Sequence, residues 1–295
     1  MTSKHHNLLN YIMLTTLLVL FSTSVEAGYR RYQASLDESN WAFKGNTLQC
    51  QLAQEIPYFG QAKFVAVAGH PNMQFQLDVS RNRPLEFSNA KIDIQAPLWR
   101  PGIAAKAEGE VEIIPDKTPV SLEHDKAWRL LSELEQGFDP AFRYEDWIDK
   151  QDTVVVALSS VRFYQTYRTF VDCVGKLLPF TFKDIETTTL NFDFDSTQFT
   201  RTSTERLLNV RRYLEADKTI SLVLLAGHTD NQGKQGYNLQ LSRKRALEVK
   251  KYLMANGISA KRIHLRAYGE GRPIASNANP EGRARNRRVL IRLVK

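Results

Sequence analysis

The chain has 295 residues, of which 42% are hydrophobic and 24% are charged, a composition typical of globular proteins that excludes a fibrous or wholly disordered chain. Two domains are expected at this length. The 40 Lys and Arg residues outnumber the 32 Asp and Glu residues, for a net charge of +8, so nucleic acid, anionic lipid and cell-wall carboxylates are all conceivable partners.

Residues 1–27 have the pattern of a secretory signal. Lys4 precedes an apolar run over residues 11–21, and residues 25–27 resemble a small-x-small cleavage site before Gly28. The run is shorter than the roughly 20 residues that span a bilayer. No Cys lies at the predicted cleavage site, which disfavours a lipoprotein anchor there. We therefore expect an exported chain that begins at Gly28, and export makes nucleic acid a poor partner.

The chain has two cysteines, Cys50 and Cys173, and export would place both in an oxidising compartment. We predict one disulfide between them. The alternative is a pair of buried free thiols. A metal site would need more Cys or His than this pair offers.

Charge is divided unevenly along the chain. Residues 28–181 hold 17 basic and 20 acidic side chains, a net charge of −3, whereas residues 182–295 hold 22 basic and 11 acidic side chains, a net charge of +11. We predict one domain in each segment, with different partners.

The first of these segments has the two-residue period of half-buried strands, interrupted by two helices. The clearest strands cover residues 73–79, 92–94, 111–113 and 154–158. The helices cover about residues 125–136 and 161–178. This pattern predicts an antiparallel β-rich domain, so that the whole chain is of the α+β class.

The second segment alternates strands and helices in the order β-α-β-α-β-β. The predicted strands cover residues 190–194, 222–226, 263–268 and 289–294. One helix follows a capping box formed by Thr202 and Glu205 and extends to about Ala216, and the other extends from about Ser242 to Ala255. The order predicts an α/β two-layer sandwich with both helices on one face of the sheet.

The densest motif lies in this segment. It comprises Gly227-His228-Thr229-Asp230, Tyr237-Asn238, Leu241-Ser242, Arg245-Ala246 and Asn286-Arg287-Arg288. With these residues, the segment resembles the OmpA-like peptidoglycan-binding domain over essentially all of residues 182–295. The resemblance implies a ligand, the diaminopimelate of the peptidoglycan peptide, that carries an ammonium group and a carboxylate.

The same resemblance implies a role for each of five residues. The ammonium group would contact Asp230 and the carboxylate would contact Arg245, whose planar guanidinium suits a carboxylate. Further ligand positions match Asp195 after the first strand, Asn238 before the second helix, and Arg287. A carboxylate near the amino end of that helix would also gain from its dipole.

Simpler interpretations stay open for these side chains. Asp230 could close an Asx-turn with Gly233, and Arg245 could be a solvated helix residue. Three further arginines, Arg283, Arg285 and Arg288, are expected individually on the surface rather than at the ligand.

Catalysis and metal binding have little support in the sequence. None of the histidines has a metal-ligand spacing. A peptidoglycan hydrolase could use Asp230 or Asp195 as acid or base. It would lack a nucleophile elbow, a Cys-His pair and a metal set. We therefore expect no enzyme, no cofactor and no metal.

Further motifs tie the two segments together. They comprise Trp41, Cys50-x-Leu52, Pro57-x-Phe59-Gly60, Pro97-Leu98-Trp99-Arg100-Pro101-Gly102, Leu131-Ser132-Glu133-Leu134, Tyr144-x-Asp146-Trp147 and Phe170-x-Asp172-Cys173. With these residues, the chain resembles the MotY family of auxiliary flagellar motor proteins, and the resemblance includes both cysteines.

The resemblance implies a non-enzymatic role in the periplasm. The first domain would associate with the flagellar basal body near its outer-membrane rings and with the partner MotX, in a ring that holds the stator units. The second domain would fasten this ring to peptidoglycan. The second segment alone would fit an alternative, a general OmpA-like envelope protein that links the outer membrane or a periplasmic complex to peptidoglycan.

Overall fold

The computed structural model describes residues 28–81, 83–97 and 99–295. The predicted signal, residues 1–27, lies outside the described residues. Two large hydrophobic cores are present, one formed by residues between 41 and 170 and the other mainly by residues between 178 and 293. Within the described ranges, no helix is both long enough and apolar enough to cross a membrane.

Two five-stranded sheets surround the first core. In chain order the strands are β1 (Tyr29–Tyr32), β2 (Trp41–Gly45), β3 (Gln49–Ile56), β4 (Gly60–Val67), β5 (Gln74–Val79), β6 (Ser88–Gln95), β7 (Lys106–Ile113), β8 (Val120–Glu123), β9 (Asp139–Glu145) and β10 (Thr153–Ala157). One sheet has the order β1-β10-β9-β6-β7 and the other has the order β2-β3-β4-β5-β8. Most neighbours are antiparallel, as predicted, but β1 pairs with β10 in parallel.

Aromatic side chains join the inner faces of these two sheets. Phe64 of β4 contacts Phe75 of β5, with ring centroids 5.0 Å apart, and Phe75 stacks on Phe142 of β9 at 5.4 Å. All three rings are fully buried. Because β5 and β9 belong to different sheets, this stack lies at the centre of the core, where each aromatic side chain contributes a large buried apolar area.

Two helices pack beside the sheets, α1 (His124–Glu135) and α2 (Phe163–Val174). Both lie where the sequence predicts helices, although α2 is shorter than expected. Gly137, in the left-handed conformation with φ +82°, follows the end of α1. Cys173 of α2 forms a disulfide with Cys50 of β3, and their Cα atoms are 6.0 Å apart.

The second core lies beneath a four-stranded sheet. The elements are α3 (Phe182–Ile185), β11 (Thr187–Asn191), α4 (Arg201–Ala216), β12 (Leu222–Gly227), α5 (Gln235–Ala255), β13 (Ile263–Ala267), α6 (Pro280–Asn286) and β14 (Arg288–Val294). The sheet order is β11-β14-β12-β13. The long helices α4 and α5 supply Leu207, Val210 and Val249 to the core, which gives the predicted two-layer arrangement.

Several predicted boundaries in this part are wrong. The first strand ends at Asn191 rather than at residue 194. Helix α4 is capped by Thr200, which accepts from the N–H of Ser203, rather than by Thr202. Helix α5 begins at Gln235, seven residues before Ser242. In addition, the short helix α6 precedes β14, so the two last strands are not consecutive elements.

The two parts of the fold are in direct contact. Ala68 and Leu178, from the part with the two five-stranded sheets, are buried in the second core, and Leu48 packs against it. The backbone N–H of Gly69 donates to the carbonyl of Leu178 at 2.9 Å. A side chain at Gly69 would overlap Thr181, since a Cβ there would lie 2.6 Å from the Thr181 nitrogen. We infer a close junction rather than a free linker.

The predicted start of the exported chain meets a cluster of carboxylates. The backbone nitrogen of Gly28 donates to Asp152 Oδ1 at 2.8 Å, and Arg30 forms ion pairs with Asp146, Asp149 and Asp152. Three carboxylates therefore surround one guanidinium. Cleavage before Gly28 would add a second positive charge, the α-ammonium, at this position.

We therefore expect a chain that begins at Gly28 to be more stable than one with an extra Ala before it. The carboxylate of Asp152 favours the charged α-amino group, so its pKa should be higher in the folded protein than the roughly 8 of an unfolded chain. This contribution, about 0.5–1 kcal/mol for a half-exposed pair, should be complete below pH 7 and lost as the pH rises through the folded pKa. Thermal unfolding of both chains at pH 6.5 and 10 tests this, and equal melting temperatures at pH 6.5 would contradict it.

Candidate functional site

Four segments of the second part of the fold meet at one end of its sheet. β12 ends at Gly227, which pairs with Val289 of β14, so the loop after β12 lies beside the residue before β14. The loop after β11 and the first turns of α5 complete the site. A cavity of about 130 Å³ lies among these segments. It is lined by all five residues predicted from the sequence, Asp195, Asp230, Asn238, Arg245 and Arg287. We call it the strand-end pocket.

Asp230 is buried and uses both of its carboxylate oxygens. Oδ2 accepts from Nη1 of Arg287 at 2.9 Å, and Oδ1 accepts from the backbone N–H of Gln232 at 3.2 Å. The second contact is an Asx-turn, closed at Gln232 rather than at Gly233. The turn fixes the carboxylate while the other oxygen faces a cation, so the turn and the predicted binding role are compatible.

Arg245 is fully buried, so the interpretation of this residue as a solvated helix residue is wrong. Its guanidinium lies 5.2 Å from the ring centroid of Phe192. It donates to three backbone carbonyls, those of Ser196 at 2.8 Å, Asp193 at 3.0 Å and His228 at 3.2 Å. Arg245 therefore ties the loop after β11 to the end of β12 and forms the floor of the pocket.

The position of Arg245 differs from the prediction in a second respect. Because α5 begins at Gln235, Arg245 lies three turns into the helix and not near its start. Burial lowers the pKa of Arg245 to about 10, although Asp230 opposes this shift, so the side chain stays charged at neutral pH. Three of the five guanidinium N–H groups are donated to the carbonyls, which leaves two for a ligand.

Asp195 lines the pocket together with Tyr237, a residue of the motif to which the sequence assigned no ligand role. The hydroxyl of Tyr237 donates to Asp195 Oδ1, and this hydrogen bond raises the pKa of Tyr237. Asp195 has a left-handed backbone, with φ +51°. Phe194 beside it is 60% exposed and also lines the pocket. An aromatic residue next to Asn238 in the motif was the only sequence signal for Tyr237.

Asn238 is buried in the first turns of α5. The sequence predicted a position before the helix, which is wrong. Its side-chain amide donates to Glu270 Oε2. Nearby, the N–H of Gly269 donates to Ser242 Oγ at 3.0 Å, and the carbonyl of Gly269 accepts from the N–H of Thr229 at 2.9 Å. The segment after β13 therefore braces the wall of the pocket, a role the sequence did not indicate.

Among the remaining arginines, the expectation of a surface position is wrong for Arg288. It is only 5% exposed, and burial lowers its pKa. Arg285 is exposed and Arg283 is half-buried. In the described ranges, no group of three or more His, Cys, Asp or Glu residues is arranged to hold a metal ion.

The strand-end pocket thus combines two carboxylates and two guanidinium groups around a small volume. Asp230 and Arg287 are paired, and Asp195 and Arg245 line the same pocket. Such an arrangement can bind an ammonium group and a carboxylate of one ligand at the same time. None of these side chains forms a nucleophile and base pair.

Comparison with known proteins places both parts of the chain. A model described as the MotY N-terminal domain matches residues 32–179, and a model described as the OmpA family matches residues 191–287. The sodium-type flagellar protein MotY of Vibrio parahaemolyticus is 36% identical over 280 residues, 94% of each chain. The chain belongs to the MotY family.

MotY proteins are structural components of the flagellar motor and not enzymes, which removes the hydrolase alternative. The OmpA-family part also resembles the outer membrane protein A of Bordetella avium, at 41% identity over 103 residues, 35% of this chain and 53% of that protein. A crystal structure of the peptidoglycan-associated lipoprotein from Burkholderia pseudomallei is 28% identical, with a TM-score of 0.34, over 36% of this chain and 89% of that one.

In this member of the MotY family, His228 is expected to make stability depend on acidity. Burial, reinforced by Arg288 and Arg272, lowers its pKa to about 4, whereas an unfolded His has a pKa near 6.5. Between these two pKa values His228 is protonated in the unfolded chain but not in the folded chain. The free energy of unfolding therefore falls by up to about 3 kcal/mol as the pH drops from 6.5 to 4.

The test compares His228→Gln with the wild type by urea unfolding at pH 7 and pH 4.5. The variant should lose less stability between the two pH values. His264→Gln, at an exposed position, serves as the matched control and should keep the wild-type difference. An unchanged difference in His228→Gln would contradict the assignment.

Proposed function

We propose that the strand-end pocket binds peptidoglycan by its diaminopimelate group. The observation that carries this proposal is the convergence of Asp230, Arg287, Arg245 and Asp195 on one cavity. The ligand ammonium would approach Asp230 and Asp195. Its carboxylate would receive the two remaining N–H groups of Arg245, with Arg287 beside it. All of these residues fall in the OmpA-family match.

We further propose a place for the rest of the chain. The domain at residues 28–181 associates with the flagellar basal body and the partner MotX, and the domain at residues 182–295 fastens this ring to the cell wall. The stator units are thereby held against a rigid support. This assignment rests on the MotY N-terminal match over residues 32–179 and on similarity to the Vibrio protein along nearly the whole chain. It also requires export to the periplasm.

The division of charge supports the same arrangement. The second domain, at +11, faces a wall that carries peptide carboxylates, and the first domain, at −3, faces proteins. The close junction at Ala68 and Leu178 would transmit force directly from one domain to the other.

Two experiments test the proposal. The mature chain should co-sediment with purified sacculi and release no muropeptide, and failure to sediment would overturn the wall-binding role. Deletion of the gene in its host should leave intact filaments that do not rotate, with rotation restored by the wild-type gene. Normal swimming with a misshapen envelope would instead favour the alternative of a general envelope linker.

A further inference from the structure

A second cavity lies on one face of the OmpA-family sheet. Helices α4 and α5 cover the other face, toward which Val223, Leu225 and Ile291 are buried. The cavity has a volume of about 790 Å³ and extends across β12, β13 and β14 to the segment around residues 268–274. We call it the sheet-face groove. Its centre is apolar, since Leu222, Leu224 and Leu290 lie along its floor.

Cationic side chains flank this apolar floor. In the sheet register, Leu224 lies between His264 of β13 and Arg292 of β14. One row further along, Ala226 lies between Arg266 and Leu290. Because side chains two residues apart point to the same face of a strand, these rows form one surface. The groove therefore has one arginine on each side of an apolar strip, Arg266 of β13 and Arg292 of β14.

No acidic residue balances these cations. The four arginines that line the groove are Arg266, Arg272, Arg288 and Arg292. The lining contains no Asp or Glu, and no carboxylate in the described ranges lies within ion-pair distance of any of the four. In the strand-end pocket, by contrast, Arg287 is paired with Asp230. Unpaired like charges at close quarters repel each other, and an anionic partner would relieve this repulsion.

Part of the groove is held in a fixed shape. The guanidinium of Arg272 lies 4.1 Å from the ring centroid of Tyr268, and the ring of His228 stacks on the same tyrosine at 5.2 Å. Nη2 of Arg288 donates to the carbonyl of Arg272 at 3.2 Å. His228 is 4% exposed, and its Nδ1 is buried without a hydrogen-bond partner in the described part of the chain. A rigid cationic wall loses little entropy when a ligand binds.

We propose that the sheet-face groove docks an acidic segment of a partner protein, a peptide that alternates carboxylates with apolar side chains. The carboxylates would pair with the arginines, for which the planar guanidinium is suited. The apolar side chains would cover Leu224 and Ile274, which are 37% and 62% exposed. A small inorganic anion would leave this apolar strip in water, and the groove's volume exceeds what such an ion fills. Charge complementarity therefore selects an acidic and partly apolar peptide.

The groove is separate from the strand-end pocket, although the two are adjacent. His228 lines the groove and Asp230, two residues later, lines the pocket. The docking surface would thus leave the pocket open to its own ligand. The inference does not depend on the proposed function of the pocket.

The test uses the mature chain and fluorescent twelve-residue peptides. A peptide of alternating Glu and Leu should bind saturably and more weakly at high salt, whereas a Lys and Leu peptide should not bind. Reversal of two exposed charges, in Arg266→Glu/Arg292→Glu, should raise the Kd by about tenfold or more. The control Arg243→Glu/Lys244→Glu changes two exposed residues of α5 and alters the net charge equally, and it should keep the wild-type Kd.

Three results would overturn the proposal. One is an equal loss of binding in the control variant, which would indicate only a general effect of charge. Another is equal binding of a Glu and Ser peptide, or its displacement by inorganic phosphate at equal ionic strength, which would indicate a simple anion site. The third is no saturable binding of the Glu and Leu peptide. Sedimentation of the Arg266→Glu/Arg292→Glu variant with sacculi should equal that of the Arg243→Glu/Lys244→Glu control, which has the same net charge, so failure of this proposal is distinguishable from failure of the pocket assignment.

Discussion

Asp230→Asn is expected to reduce the affinity of the mature protein for peptidoglycan sacculi by about thirtyfold or more. The substitution keeps the shape of the side chain and its Asx-turn but removes the charge that faces Arg287 and the ligand ammonium. Loss of one partner from a buried charged pair costs about 2–5 kcal/mol of binding energy. Sedimentation of the variant over a range of sacculus concentrations measures the effect.

The same chain offers a matched control. Asp193 lies in the loop after β11 and is exposed, and its side chain does not line the strand-end pocket. Asp193→Asn therefore removes the same charge and should bind as the wild type does. If Asp230→Asn also bound normally while remaining folded, the assignment of the pocket would be wrong.

For a variant of Arg245, stability has to be measured together with the affinity for sacculi. Arg245→Ala would leave the carbonyls of Ser196 and His228 without their donor, and the carbonyl of Asp193 would keep only the backbone N–H of Ser196. Each buried group left unpaired costs about 1–3 kcal/mol. We therefore expect Arg245→Ala to lose both stability and binding. Arg287→Gln should also lose both, because it leaves the buried carboxylate of Asp230 without its cation and removes a donor from the carbonyl of Phe192. A double variant of Asp230 and Arg287 should lose less than the sum of the two single losses, because these side chains form one pair.

Removal of the disulfide should have the second large effect. Replacing Cys50 and Cys173 with Ala should lower the free energy of unfolding of the first domain by about 4–5 kcal/mol, because the bond spans 123 residues and closes a long loop in the unfolded chain. Urea unfolding, followed by the fluorescence of the tryptophans in residues 28–181, measures this loss.

Reduction of the wild type provides the control for this prediction. Dithiothreitol should lower the stability of the wild type toward that of the double Ala variant and should leave the variant unchanged. Equal stability of the oxidised wild type and the variant would show that the bond adds nothing. The sacculus affinity of the OmpA-family domain should be unchanged in both cases, since both cysteines lie in the other domain.

Local sequence patterns predicted the elements that bury one regular face. The alternation over residues 73–79 corresponds to β5, and the spacing over residues 125–136 corresponds to α1. The first two turns of α5 were missed because they face the strand-end pocket and solvent rather than the core. Tyr237 and Leu239 there are each 50% exposed, so no hydrophobic period marks them as helical.

The motif predicted which residues line the strand-end pocket, but it did not predict the contacts among them. The acceptors of Arg245 are main-chain carbonyls, and no pattern of side chains in the sequence predicts them. The burial of Arg288 and the parallel pairing of β1 with β10 likewise depend on residues far apart in the chain. Such features follow from the tertiary fold and not from local periodicity.

The position of the disulfide has a mechanical consequence. Cys173 lies one residue before the end of α2, and the chain passes from there to Leu178 and the OmpA-family domain. Tension strong enough to break the contacts of Ala68 and Leu178 would extend the few residues after Val174. It would then pass through the two sulfur atoms into β3, which hydrogen-bonds to strands on both sides. Helix α2 therefore does not unfold turn by turn under this tension. The hydrogen-bonded strands of the sheet bear the force together.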